Sequence, residues 1–179
     1  MCLQLPQTAD EWKKVADGYW QRWNFPNCIG ALNGKHADIQ KPSASGSMYF
    51  NYKQRFSIVL LGLVNADYEF MMVDVGINRP ISDGGVLHHC AFGKALYDYK
   101  LNIPRPEKLP NSSIIALFVI VADDAFMLHP NTMKLFPYTS LKKEERVFNK
   151  RLSRARNTIE DTFGILNSRF EIFQRPMKL

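Results

Sequence analysis

The residues of this chain that could do chemistry are two carboxylates and an amide, far apart in the sequence. Asp123 follows a strongly apolar run, and Glu160 lies in a segment with helical periodicity. Asn33 follows the apolar residues 29–32, and a tight turn is expected at Asn33-Gly34. Carboxylate oxygens are the ligands that Mg²⁺ prefers, and two-metal phosphodiester chemistry needs such ligands to converge from separate elements. The sequence therefore predicts a divalent-metal site in which the position of Asn33 lacks a charge.

These residues also have purely structural interpretations, which the sequence leaves open. Asp123 or Asp124 could simply end a strand, and Glu160 could pair with Arg156 four residues earlier, an interaction that contributes a few tenths of a kcal/mol. The run His88-His89-Cys90 is not a convincing metal site, because adjacent residues of a helix point in different directions. His36 and His129 are interpreted as structural or exposed.

The net charge of +6 is concentrated near the C-terminus. Residues 141–179 contain ten Lys/Arg and five Asp/Glu, whereas residues 1–140 contain thirteen and twelve. A basic region of this kind is typical of a protein that binds a polyanion, most simply DNA, although a solvated helix face would have the same composition. The candidate phosphate contacts are Lys53, Arg55, Lys150, Arg151, Arg154 and Arg156.

Length and composition indicate one folded domain. The chain has 179 residues, 46% of them hydrophobic, which is enough for one core and too short for two comfortable domains. No apolar run reaches the roughly 18 to 20 residues that a membrane span requires, and the first residues do not resemble a signal peptide. An intracellular protein, nuclear or cytoplasmic, is expected. The three scattered cysteines support neither a disulfide framework nor a zinc site.

Apolar periodicity predicts the elements that must position the candidate residues. Helices are predicted at 8–23, from a cap at Ser82 or Asp83 to Tyr99, and at 149–170, where the apolar positions recur every three or four residues. Strands are predicted at 29–32, 56–64, 70–75 and 114–121, with a hairpin turn at 65–67. This order describes an α/β domain with a mixed sheet flanked by helices, and among such folds we favour the ribonuclease H-like one.

Four segments in this order carry a family resemblance: GALNGKH, SDGG, VADDAF and FNKRLSRARNTIEDTFGILNSRF. Together they resemble the transposase-derived nuclease domain of the PIF/Harbinger family, over about residues 25–173. The resemblance implies a ribonuclease H-like fold and an Asp, Asp, Glu triad that uses Mg²⁺ or Mn²⁺ to cut and join DNA. The family's glutamate falls on Glu160 and its second aspartate on Asp123, with Asp124 the weaker candidate. A Myb-like DNA-binding partner protein is also implied.

The sequence departs from this family at the first aspartate, which is Asn33 here. An amide is neutral and bridges two ions poorly, and Asp38 cannot replace it because odd spacing along a strand puts it on the opposite face. The expected organisation is a lead-in helix at 1–24 and a nuclease-like domain at 25–179, truncated at its C-terminus and without the family's N-terminal DNA-binding region.

Three functions are compatible with these observations. The first is a metal-dependent nuclease with impaired DNA cleavage and strand transfer, and the second is a domesticated, catalytically inactive module that binds DNA or protein. The third is a decaying transposon remnant, which the intact apolar patterning of 58–64 and 114–121 argues against.

Overall fold

A computed structural model describes residues 3–51, 53–75 and 83–178 of the chain. The helices are α1 (Ala9–Trp23), α2 (Asp83–His89), α3 (Ala91–Tyr97) and α4 (Lys143–Arg169), and a short 3₁₀ helix follows at Glu171–Phe173. The strands are β1 (Cys28–Asp38), β2 (Ser57–Val64), β3 (Phe70–Val75), β4 (Glu107–Lys108), β5 (Ile115–Ala116), β6 (Val119–Val121) and β7 (Thr132–Met133).

Five of the strands form a mixed sheet in the order β3-β2-β1-β6-β7. The neighbours β1, β2 and β3 pair antiparallel, whereas β6 pairs parallel with both β1 and β7. Helices lie on both faces of this sheet, which confirms the predicted α/β class and is consistent with a ribonuclease H-like fold. No helix in the described ranges has the length and apolar character needed to cross a membrane.

The two faces of the sheet carry different hydrophobic clusters. Leu61 and Leu63 of β2 pack in the cluster that contains α2 and α3, whereas Leu60 and Val64 pack in the cluster that contains Ile159 of α4. Alternation along one strand therefore supplies apolar side chains to both layers. This double burial explains why β2 reads as a nearly continuous apolar run.

Helix α1 forms where the sequence predicts it, because its ends carry strong local signals. The Thr8 side chain accepts a hydrogen bond from the Glu11 N–H, and the Glu11 carboxylate accepts one from the Thr8 N–H, which completes a capping box. Asn24 ends the helix in a left-handed conformation. The hairpin turn at 65–67 is also confirmed, since Asn65 Oδ1 accepts the N–H groups of Asp67 and Glu69.

The first strand corrects one prediction. Asn33 and Gly34 do not form a tight turn, because β1 continues to Asp38 and both residues pair with β2. The apolar run ends at Leu32, so periodicity alone predicted a strand of only four residues. The hydrogen-bond ladder with β2 extends it through polar positions that no apolar pattern marks.

Two other predicted elements are divided in the structure. The predicted strand at 114–121 becomes β5, which pairs with β4 in a separate two-stranded sheet, and the buried β6. The predicted helix ending at Tyr99 breaks at Cys90, which caps α3 by accepting the Gly93 N–H on its sulfur. The proposed cap Ser82 lies outside the described residues, as does Cys2. Helix α4 is confirmed but begins earlier, at Lys143.

Candidate functional site

Asn33 lies on β1, the central strand of the sheet, on the face covered by α4. It is partly buried and pairs with Gly62 of β2, and its neighbour Ala31 belongs to the same hydrophobic cluster as Ile159 of α4. Residues two apart along a strand share a face, which puts the Asn33 side chain on the α4 side. Its Oδ1 accepts the Gly34 N–H at 2.8 Å.

Gly62 explains how α4 comes so close to the strand pair at Asn33. A Cβ at this position would lie 2.9 Å from Phe70 Cε1 and 3.2 Å from both Ile159 Cδ1 and Phe163 Cζ. Such separations are shorter than the optimum for carbon atoms, so only glycine permits the observed packing. The helix residue that follows Ile159 is Glu160, and its backbone is therefore held against the sheet near Asn33.

Asp123 follows the strand next to β1. Ala31 pairs in parallel with Val121, so Asn33 and Asp123 each come two residues after the last pair that joins β1 and β6. Asp123 is partly buried, and its Oδ1 accepts the Ala125 N–H at 2.9 Å, whereas Asp124 is exposed. This internal hydrogen bond orders the acidic turn, which we define as residues 123–126.

Two residues that the sequence interpretation missed support the acidic turn. Lys134 Nζ donates to the carbonyl oxygens of Asp124 at 3.2 Å and Phe126 at 2.6 Å. A Cβ on Gly84, at the start of α2, would overlap the carbonyl oxygen of Ala125. The SDGG segment already indicated Gly84, which is its first glycine and permits the close approach of α2 to the Ala125 carbonyl. No local pattern marks Lys134.

Glu160 is exposed on α4 and already has a cationic partner. Its Oε1 lies 2.9 Å from Arg156 Nη2, an i,i+4 ion pair in which the Arg156 side chain is only 22% exposed. The Nε of Arg156 is buried without a hydrogen-bond partner. Arg156 therefore lies beside the carboxylate rather than on the open surface, and its role as a phosphate contact stays a prediction.

The other candidate phosphate contacts lie in two places. Lys150, Arg151 and Arg154 are exposed on α4, and Lys150 also lines a cavity of about 530 Å³ near the start of that helix, together with Tyr138, Ser140, Leu141, Arg146, Asn149 and Ser153. Lys53 and Arg55 are exposed in the loop between β1 and β2, where Arg55 Nη1 lies 3.2 Å from Asp38 Oδ2.

The histidines that the sequence assigns to structural roles make local contacts. His36 Nδ1 lies 2.8 Å from Ser57 Oγ, and His129 Nδ1 accepts the Asn131 N–H at 3.2 Å. Burial lowers the pKa of His129, which favours the neutral ring that this hydrogen bond requires.

Burial also raises the pKa of the Cys28 thiol to about 12, so that thiol is a poor nucleophile.

The donor set fits a divalent metal only in part. Within 3–51, 53–75 and 83–178, no three His, Cys, Asp or Glu residues are grouped to hold an ion. The predicted ligands comprise two carboxylates and the neutral Asn33, and Mg²⁺ commonly uses one or two carboxylates together with substrate phosphates. The chemistry of these donors therefore suits one weakly held ion better than a bridged pair. The roles of Asn33, Asp123 and Glu160 stay a prediction.

Comparisons with known proteins agree with the family resemblance of the sequence. The family described as DDE superfamily endonuclease matches residues 32–179. Protein ALP1-like from Arabidopsis thaliana is 33% identical over 183 residues, which cover 98% of this chain and 43% of that protein. The chain thus spans less than half the length of that relative. No solved structure matches this chain significantly.

Proposed function

This chain belongs to the family of DDE superfamily endonucleases, and we propose that it is a Harbinger-type domain that binds DNA and in which metal-dependent phosphodiester cleavage is impaired by Asn33. Endonucleases of this superfamily generally depend on divalent metals. Asn33, Asp123 and Glu160 are the proposed remnants of the metal site. DNA as the partner makes the nucleus the proposed place of action, with a Myb-like protein as a further proposed partner.

The observation that carries this proposal is the parallel pairing of β1 with β6. Ala31 pairs with Val121, and Asn33 and Asp123 each lie two residues beyond this pair, although 90 residues separate them in the sequence. Gly62, opposite Asn33, admits α4 at Ile159, directly before Glu160. These contacts support convergence of the three candidate positions at one edge of the sheet.

In this proposal the carboxylates bind the metal ion and the cations bind DNA. Asp123 and Glu160 would hold Mg²⁺ or Mn²⁺, and a bound ion in such a site activates a nucleophile or stabilises the leaving oxygen. Asn33 offers a neutral oxygen, already engaged with the Gly34 N–H. The ion pair with Arg156 lowers the net charge at Glu160. The exposed cations of α4 would neutralise DNA phosphates, which makes binding sensitive to salt.

The same ion pair favours a second candidate function, an inactive module that binds DNA or protein. Asn33 is neutral and Glu160 is paired with Arg156, which leaves Asp123 as the one candidate carboxylate that has no ion pair within the described ranges. A divalent ion is the largest charge in such a site, and negative ligands must compensate it. A site with so little net negative charge therefore attracts the ion weakly. In this alternative the basic surface persists while the chemistry is lost.

The decisive experiment restores the missing charge. Cleavage of duplex DNA in Mn²⁺ is compared for fresh protein, for Asn33→Asp, and for Asn33→Asp combined with Glu160→Gln. We expect Asn33→Asp to cleave at least tenfold faster than the natural sequence, and the added Glu160→Gln to abolish that gain. Equal and measurable cleavage rates for fresh protein and Asn33→Asp would refute the impairment. No measurable cleavage by either protein would favour the inactive module.

Deamidation of Asn33 must be controlled in this experiment, because a glycine follows it. Attack of the Gly34 nitrogen on the side chain yields aspartate or isoaspartate, which would restore a carboxylate without a change in the gene. Pairing of both residues with β2 restrains this attack in the folded protein. Mass spectrometry of the peptide that contains Asn33, before and after the assay, excludes a deamidated fraction as the source of activity.

A further inference from the structure

The loop between β1 and β2 presents aromatic and cationic side chains on an exposed surface. Met48 is 50% and Phe50 39% exposed, and the Phe50 and Phe56 rings meet edge to face with centroids 5.2 Å apart. We call the set Lys41, Met48, Phe50, Arg55 and Phe56 the aromatic ledge. It adjoins the end of β1 that is remote from β6, about 17 Å beyond Asn33 at the usual rise of a strand.

Asn51 holds the aromatic ledge in shape. Its Oδ1 accepts the N–H groups of Lys53 at 2.9 Å and Arg55 at 3.1 Å, and its Nδ2 donates to Ser57 Oγ at 2.7 Å. The Asn51 N–H also donates to the Arg55 carbonyl at 2.8 Å. A loop ordered before binding loses less conformational entropy when a ligand arrives, so the exposed rings are preorganised to receive a partner.

The charges around the aromatic ledge indicate what kind of partner fits. Lys41 Nζ lies 5.6 Å from the centroid of the Phe56 ring, and Arg55 pairs with Asp38 while its side chain stays 68% exposed. Together with Lys53, these residues supply three positive charges against one negative charge. Exposed rings interleaved with cations match a nucleic-acid strand, whose phosphates need cations and whose bases need flat apolar surfaces.

We propose that the aromatic ledge binds single-stranded DNA by stacking unpaired bases on Phe50, while Lys41 and Arg55 contact the flanking phosphates. The proposal rests on the proposed function, since it takes DNA as the substrate and places an unpaired segment of the bound DNA beside the sheet. Stacking on a side chain requires a base with a free face, and the paired and stacked bases of a duplex do not offer one. The aromatic ledge thus distinguishes single strands from duplex.

The test compares binding of a 12-nucleotide oligo(dT) and a 12-base-pair duplex by fluorescence anisotropy, in EDTA so that no cleavage occurs. Phe50→Ala should weaken oligo(dT) binding roughly five- to a hundredfold, the range that loss of one stacking ring produces, and should change duplex binding less than twofold. Tyr99→Ala is the matched control, since Tyr99 is 69% exposed after α3, and it should leave both affinities unchanged.

A second variant keeps the proposal testable if Phe50→Ala disturbs the loop. Phe50→Trp preserves a stacking ring, and oligo(dT) should quench its added fluorescence, whereas duplex should not. Tyr99→Trp should show no quenching with either DNA. Absence of quenching at position 50, or an equal loss of oligo(dT) and duplex binding in Phe50→Ala, overturns the proposal. A change of oligomeric state in Phe50→Ala with oligo(dT) binding intact would show a protein interface instead, and would equally overturn it.

These outcomes also separate this inference from the proposed function. The variant that combines Arg151→Gln and Arg154→Gln tests the α4 surface and should weaken duplex binding, with a shallower dependence on salt. If natural protein binds oligo(dT) through Phe50 but does not bind duplex at low salt, the aromatic ledge stands and the duplex endonuclease fails. If duplex binding depends on α4 and Phe50→Ala changes nothing, the aromatic ledge fails alone.

Discussion

Replacement of Gly84 by alanine should destabilise the protein and disturb the acidic turn. A Cβ at Gly84 would overlap the carbonyl oxygen of Ala125 and lie 3.4 Å from Ala125 C and Phe126 Cα. All three neighbours are main-chain atoms, so no side chain can rotate away to make room. Restoring ordinary contact requires α2 and the turn to separate by about 1 Å, and the turn begins at Asp123.

The size of this effect follows from overpacking, which costs about 1–3 kcal/mol in a well-packed region. For a chain of this length each kcal/mol shifts the melting temperature by about 2–4 °C, so Gly84→Ala should lower it by about 2–12 °C. Gly164→Ala is the matched control. Nothing lies within 4 Å of a Cβ at Gly164, which is exposed in α4, and there alanine should stabilise the helix by about 0.5–1 kcal/mol.

Thermal unfolding followed by circular dichroism measures both variants. The same substitution should thus have opposite signs at the two glycines. In the Asn33→Asp background, Gly84→Ala should also slow cleavage about 100-fold, since a misplacement of 1 Å at a reacting centre has an effect of that order, and Gly164→Ala should not. A Gly84→Ala protein as stable as the natural one would refute the contact between α2 and the acidic turn.

Three further predictions concern buried or partly buried side chains. Tyr19→Phe should cost about 1–2 kcal/mol in urea unfolding, because the fully buried Tyr19 hydroxyl donates to a main-chain carbonyl at 3.0 Å and lies 3.1 Å from Thr158 Oγ1; an unchanged midpoint would contradict this. Because burial lowers the pKa of His129, its contribution to stability should be present above the ordinary histidine pKa of about 6.5 and lost as the pH falls through the folded value. His129→Asn, which keeps an acceptor for the Asn131 N–H, should flatten that part of the pH profile, and an unaltered profile would exclude His129 as its source. Cys28, with its pKa raised to about 12, should stay unlabelled by iodoacetamide at pH 8 until the protein unfolds, as peptide mass spectrometry can show; rapid labelling of native protein would mean that the thiol is accessible.

The sequence by itself determined those elements whose signals are local. The helical spacing of apolar residues marked α1 and α4, and the run at 56–64 marked β2 to within one residue. Each of these patterns depends on neighbours within a few residues, so no knowledge of the fold was needed. The same is true of the motifs that carry the family resemblance, which the match over residues 32–179 supports at the level of the DDE superfamily.

Only the tertiary structure decided where long-range pairing extends or interrupts these local patterns. The polar positions from Asn33 to Asp38 become strand because β2 supplies their hydrogen bonds. The apolar run at 114–121 divides because its first part, β5, pairs with β4 outside the main sheet. Ile115 of β5 is 63% exposed, whereas Val121 of β6 is fully buried beside β1. The pairing of Ala31 with Val121, two residues before Asn33 and Asp123, follows from the register of β1 and β6. Register is a property of contacts between distant segments, and no window along the chain contains both partners.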